Sequence, residues 1–528
     1  MLEWASLALG GCLLASAYWP GGRAAAAWVA FLPFLWAIRG RRPVAAFLRG
    51  WAFGAAAWTA GMHWMLQPMR EYLRVGPAAG LFLFALTWSF HGSVFGLAAW
   101  ACARAARPVG RALGLDDARA LALVFVPIAV AGEGFFPMLM PTTLALSQHN
   151  HLPALQSMEL FGAAGLAWLL AGFNAALFLA IQSKGRVLRP LGALLALALA
   201  NEAYGRARIA QIDAATAAAL ARAPLRVGIV QAAIPSGPPR WTGSMLVAQG
   251  GLTSGLLARG PLDLVVWPES TFGAPLEYER REQDAGAPTI DGWPVERFLR
   301  AAVPYAVPML LNTRGIARGA GQGPQEGYNV AFLAGADKRL LGLTEKRVLF
   351  PFGEFVPGAR RWPILYRLSP RSARLSRGRS RLLETPSGAR FGVLICYEDL
   401  LADEARDLAR RGAQFLVTMT DDAWFRGMGP DQHLMGALPR AIESRLFVVR
   451  AANYGISAII DPAGRVLDAV PAGARGTVRG AVAALEARTP FLRVGRAPYW
   501  AALVLLIALL AFAARLDARR APPLHSGR

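Results

Sequence analysis

Cysteine and lysine each occur only three times in 528 residues. Cys12 and Cys102 lie inside long apolar runs, so Cys396 has no partner in the polar part of the chain, and a disulfide there is excluded. A lone thiol in such a segment is a candidate nucleophile. The six histidines and scattered cysteines form no spaced set of zinc ligands, so no metal and no cofactor is expected. Arginine supplies nearly all of the 56 basic residues, leaving Lys184, Lys338 and Lys346. Wherever bulk positive charge suffices the chain uses Arg, and a retained Lys suggests a need for a compact ammonium.

Charge is also scarce. Only 17% of residues are charged while 55% are hydrophobic, and the mean hydropathy is +0.34. That balance points to a bilayer rather than to a soluble domain of this size. The net charge of +22 could suggest nucleic acid, but the basic residues are dispersed and no zinc-finger or RNP-type signature is present. No nucleic-acid partner is expected.

Seven apolar runs crowd the first two hundred residues, at about 4–20, 24–38, 45–68, 77–103, 120–140, 160–182 and 188–204. An eighth lies at about 497–514. Spanning a bilayer takes about 20 such residues. Arg39, Arg41 and Arg42, then Arg104, Arg107 and Arg111, then Lys184, Arg186 and Arg189 fall in alternate loops, and 141–158 carries no Lys or Arg. By the positive-inside rule the N-terminus is cytoplasmic and 205–490 lies outside the cytoplasm. The first run lacks the basic flank of a signal peptide and carries Glu3, so a retained helix is expected.

The segment from about 224 to 490 reads differently. Short β-rich runs recur at 225–231, 262–269, 308–313, 329–334, 391–396, 415–420, 446–451 and 456–461, with helical stretches at 401–411 and 433–444. Such alternation predicts an α/β domain with a buried sheet. The expected organisation is a bundle of about seven helices over 1–205, the α/β domain over 206–490, and a last helix with a basic cytoplasmic tail over 491–528.

Three motifs in the α/β domain carry chemistry. An apolar strand delivers Glu269 after Trp267-Pro268, Lys346 precedes a Pro/Gly turn ending in Glu354, and another apolar strand ends at Cys396-Tyr397-Glu398. Side chains at the C-terminal edge of an open α/β sheet commonly meet in a cleft. Cys396 would attack a carbonyl as thiolate, Glu269 would take its proton, and Lys346 would hold the oxyanion. Glu354 and Glu398 would orient Lys346 or a substrate amine. Each motif has a bland rival taken singly: a buried strand-end cysteine, a solvated carboxylate, a surface lysine.

At these residues the sequence resembles the nitrilase (carbon-nitrogen hydrolase) superfamily, and within it the apolipoprotein N-acyltransferase family. The matching pieces are Trp-Pro-Glu269, Lys346 through Pro-Phe-Gly-Glu354, Cys396-Tyr397-Glu398, Asp422-Ala-Trp-Phe425, Asn453-Tyr-Gly455 and Trp241. In the bundle, Gly61–Trp64, Gln148, Pro153, Gln156 and Asn174 are similar too. The resemblance implies a multi-pass membrane bundle joined to an αββα sandwich, a Glu269–Lys346–Cys396 triad, and supporting roles for Trp241, Glu354, Tyr397 and Glu398. It implies a bacterial inner-membrane acyltransferase with a periplasmic catalytic domain. Its acyl donor would be a phospholipid, its intermediate a Cys396 thioester, and its acceptor the α-amine of a diacylglyceryl-cysteine on an apolipoprotein. Ala232-Ala233 and Asp421 depart from the family's usual Gly-Asn and Asn, outside the triad. A membrane-anchored amidase, or a silent protein that binds lipoproteins, would be the alternatives. Between Lys346 and Cys396, apolar 362–368 is surrounded by arginines and reads either as a solvated loop or as a lid that dips into lipid.

Overall fold

The computed structural model describes all residues except 74, 236–241, 271–272, 280–287, 319–325, 370–371 and 521–528, so Trp241 lies outside the described residues. The chain divides into two compact units. One comprises Met1–Leu66, Gly76–Arg208 and Arg493–Arg528, the other Gln67–Val75 and Ile209–Leu492.

The first unit is helical. Pro77–Leu113, Asp117–Phe135, Met158–Gln182 and Ala497–Leu516 are long and apolar enough to cross a membrane. Among the described residues these are four of the eight expected crossings. The run at 24–38 is broken into a 3-10 turn, Ala24–Trp28, and a short helix, Leu32–Ile38. The break is held from outside: Asn174 accepts from the Phe31 amide at 3.0 Å and donates to Ala27 O at 2.9 Å. Gln148 donates to Ala24 O and accepts from Trp28 Nε1. The run at 188–204 continues as one helix, Arg189–Arg222, into charged sequence. Pro43–Met62 and Pro77–Leu113 cross where side chains vanish, since a Cβ on Gly54 would lie 2.6 Å from Gly92 O. Small residues permit that approach where lipid supplies no hydrophobic drive.

In the second unit two sheets face each other. The parallel strands Pro224–Gln231, Leu264–Val266 and Met309–Arg318 centre one of them. Arg390–Ile395, Phe415–Asp421 and Val448–Asn453 centre the other. The period of two along each strand decides the layering. Val227, Ile229, Leu264, Val266, Phe391, Val393, Phe415 and Val417 share the core between the sheets. Val230, Val265 and Trp267 instead pack outward with Leu256 and Leu299 of helices Thr242–Ala258 and Val295–Ala302. On the far side Leu394, Leu416 and Val448 pack with Leu408 and Ala441 of helices Ala402–Arg410 and Gly429–Ser444. The result is an αββα sandwich. The strand expected at 262–269 is paired only over Leu264–Val266, because Pro268 has no amide to continue a ladder.

Candidate active site

Glu269, Lys346 and Cys396 each stand just beyond a strand's C-terminal end. Glu269 follows Leu264–Val266 and precedes Ser270, whose φ of +61° turns the chain sharply. Asn312 Oδ1 accepts the Ser270 amide at 2.8 Å. Glu269 is buried, 8% exposed. Its Oε1 accepts from Asn329 Nδ2 at 2.7 Å and its Oε2 from the Asp421 amide at 3.0 Å. Burial raises its pKa to about 7, Lys346 works against that, and the charges of Glu354 and Asp421 add to it. That value suits a general base near neutrality.

Lys346 follows the strand Leu340–Glu345, and its amide donates to Asn329 O at 2.8 Å. The side chain is fully buried, with Nζ 2.8 Å from Glu354 Oε2. Burial alone would favour the neutral amine, but Glu354, Cys396, Glu269 and Glu398 hold the proton well above the usual lysine range. The contact with Glu354 is close but off the hydrogen-bonding direction, and Nζ meets no better-aligned acceptor among the described residues. Its N–H bonds therefore remain available to a ligand oxygen.

Cys396 ends the strand Arg390–Ile395 and begins the 3-10 turn Cys396–Leu400 with φ +53°. This strained strand-to-helix elbow leaves the Cys396 side chain half-buried against the core between the sheets. Burial and then the Glu269 charge push the thiol pKa well above its ordinary value, while Lys346 and the Thr420 hydroxyl pull the other way. These surroundings favour the thiol, in keeping with the expectation that a base such as Glu269 would have to take its proton before or during any attack.

The Glu398 carboxylate is engaged by backbone amides. Its Oε1 accepts the Arg347 and Val348 amides at 2.7 and 2.9 Å and its Oε2 the Ile395 amide at 2.9 Å. It ties the loop of Lys346 to the elbow of Cys396. Burial raises its pKa to about 7 against Lys346 and those three amides. Glu354 is the ion partner of Lys346 and also accepts the Phe350 amide at 2.8 Å. Tyr397 is buried, its ring 5.4 Å from Phe350, and burial pushes its pKa up to about 12.

Asn329 was not singled out from sequence. Its Nδ2 donates to both Glu269 and Glu354, at 2.7 and 3.2 Å, and its Oδ1 accepts from Asn312 at 2.8 Å. The available signal was an amide at the start of a strand that is otherwise apolar, 329–334. Asn453 has a similar role, bonding both ways to the Ile234 backbone and donating to Asp421 Oδ1 at 2.9 Å. Next to Ile234, Ala233 takes φ +52°, a conformation that Asn or Gly adopts more easily.

The family model described as the apolipoprotein N-acyltransferase N-terminal domain matches residues 10–176, and the carbon-nitrogen hydrolase model matches 226–489. An apolipoprotein N-acyltransferase of Geobacter metallireducens is 28% identical over 96% of this chain and 94% of its own length. Another, of Azotobacter vinelandii, is 32% identical over 96% of this chain and 97% of its own. Among solved structures, Saccharomyces cerevisiae Nit3, a member of branch 10 of the nitrilase superfamily, aligns at 18% identity and TM-score 0.36, over 49% of this chain and 90% of that one. Because the likeness runs through both the helical bundle and the sandwich, the chain belongs to the apolipoprotein N-acyltransferase family and is a bacterial membrane acyltransferase with a nitrilase-like domain.

Proposed function

We propose that this enzyme moves a fatty acyl chain from a phospholipid to the α-amine of the S-diacylglyceryl-cysteine of apolipoproteins, through a thioester on Cys396. The observation that carries this reading is the buried cluster in which Asn329 bonds both Glu269 and Glu354, Glu354 pairs with Lys346, and Glu398 ties the loop of Lys346 to the elbow of Cys396. The thiol proton passes to Glu269 as sulfur bonds to the ester carbonyl, and Lys346 holds the oxyanion that forms. Collapse releases lysophospholipid, which takes the proton back. The acceptor amine then attacks the thioester, Glu269 removes its proton, and the departing sulfur regains it as the amide forms.

The bundle (1–205), the catalytic domain (206–490) and the last helix with its tail (491–528) would divide the labour between anchoring and chemistry. Loop charge supports an inner-membrane location with the catalytic domain in the periplasm. Trp362 and Ile364, 59% and 58% exposed, support lipid contact by the segment around them. Trp241 is proposed as a substrate contact from the family resemblance alone. Mass spectrometry of lipoprotein N-termini, from cells with and without this protein, tests the whole reading. One extra N-linked acyl chain should depend on it, while unchanged N-termini would favour the amidase or the silent protein. In the same cells a cytoplasm-only reporter should work when joined after Arg520 and stay silent within 205–490.

Asp421 is the departure with a physical consequence. Its charge helps to raise the Glu269 pKa to about 7, and a protonated Glu269 cannot act as base. Acylation should therefore rise with pH through about 7. Asp421→Asn removes the charge, lowers the Glu269 pKa, and should move that acid limb to lower pH in stopped-time acylation assays. An unmoved limb would show that another group titrates.

A further inference from the structure

Beneath Cys396 lies a buried cluster that the mechanism does not use. His433, on helix Gly429–Ser444, points Nδ1 at Asp422 Oδ1 (2.8 Å) and Nε2 at Asp399 Oδ1 (3.0 Å). Arg450, on strand Val448–Asn453, closes the ring by pairing with Asp399 Oδ2 and, at 3.2 Å, with Asp422 Oδ2. The Thr420 hydroxyl donates to Asp422 Oδ1 at 3.0 Å, and Phe425 lies edge-on to the imidazole. All four charged side chains are at most 2% exposed.

A neutral imidazole has one N–H, yet both ring nitrogens here face carboxylate oxygens, which only accept. The ring must carry both protons. Two cations then balance two anions, the condition under which buried charge is tolerable. The anions belong to two different pieces of the site. Asp399 is three residues from Cys396 in the same 3-10 turn. Asp422 follows Asp421, whose amide holds Glu269 Oε2. His433 is thus bonded on one side to the nucleophile's elbow and on the other to the segment that holds the base.

We propose that His433 is a permanently charged positioning residue that fixes Cys396 and Glu269 relative to each other. This rests on the triad reading above. It assigns His433 no proton transfer with substrate, although a buried histidine near a nucleophile invites that role. Burial disfavours the charge, but Asp422 and Asp399 outweigh it and Arg450, raising the pKa to about 9, so the proton is retained at working pH.

The test is a double-mutant cycle on the rate of Cys396 acylation by phospholipid vesicles in the full-length enzyme. His433→Gln should slow acylation about 100-fold at saturating donor with KM unchanged, as a displacement of about 1 Å would. Glu269→Gln should be slow by itself. If His433 acts through the Cys396–Glu269 geometry, the double variant should be within about 3-fold of Glu269→Gln. A double variant slower by the full product would overturn the proposal and leave the triad standing, since a general structural role multiplies. A Glu269→Gln enzyme at full rate would overturn both. Should His433→Gln fail to fold, Asp399→Asn keeps the shape but lets His433 lose its proton earlier. Its rate relative to the native enzyme should fall between about pH 7 and about pH 8.5, and a constant ratio would overturn the proposal.

Discussion

Purified enzyme given phospholipid but no amine should stall with one acyl group on Cys396. The adduct should be removable by hydroxylamine, as a thioester is, and should discharge into an amide when a diacylated lipopeptide with a free α-amine is added. An acetylated lipopeptide should leave it in place, whereas an amidase would lose the acyl group to water in either case. Cys396→Ala should form no adduct, because no carbon–sulfur bond can form. In comparably organised triads, loss of the nucleophile costs on the order of a million-fold in turnover. Cys396→Ser should be severely impaired as well. Burial and the Glu269 charge already raise the thiol's pKa, and the same surroundings would act on a hydroxyl that starts far higher. An adduct on Cys12 or Cys102, or full turnover without Cys396, would sink the triad.

The sandwich was legible because its strands carry a period of two that survives in the sequence: Val227 and Ile229 face one core, Val230 the other. The bundle was less so. Hydropathy registers the apolar run at 24–38 but not that Asn174 and Gln148 satisfy its backbone and let it break. The three candidate residues were singled out at strand ends, Lys346 by lysine scarcity, Cys396 by its isolation and Glu269 as a carboxylate closing an apolar strand, and the structure places all three beyond strand ends. What could not be read was direction. Glu398 was expected to orient Lys346 or a substrate amine and its carboxylate accepts three backbone amides, while Asn329 looked like a strand residue and joins two carboxylates. Such roles depend on contacts between segments tens of residues apart, and a local pattern has no record of them. The elbow at Cys396, with its positive φ, is of the same kind, since Glu398 ties it to residues about fifty positions away.

Lys346→Met should cost about 100- to 1,000-fold in acylation rate, the usual loss for one oxyanion donor. Methionine fills much of the same volume, so the buried site, at 0% side-chain exposure, should keep its packing. What disappears is charge. The ammonium draws the Glu269 pKa down, and without it the repulsion between the Glu269 and Glu354 carboxylates is offset by the hydrogen bonds from Asn329 and the Asp421 amide. The acid limb of the pH profile should then move above about 7, because Lys346 is the largest influence opposing burial at Glu269. This shift separates an electrostatic role from a steric one: a variant that is slow with an unmoved limb has lost geometry alone. Lys346→Arg should not rescue the rate. A planar guanidinium needs more room than a buried ammonium, and its donors diverge rather than converge on one oxygen. Glu354→Gln should be milder, since it removes the partner of Lys346 but leaves the ammonium and its free N–H bonds in place. If Lys346→Met acylates Cys396 within about 3-fold of the native rate, oxyanion stabilisation must come from elsewhere, and Lys346 reverts to a buried counter-ion of Glu354.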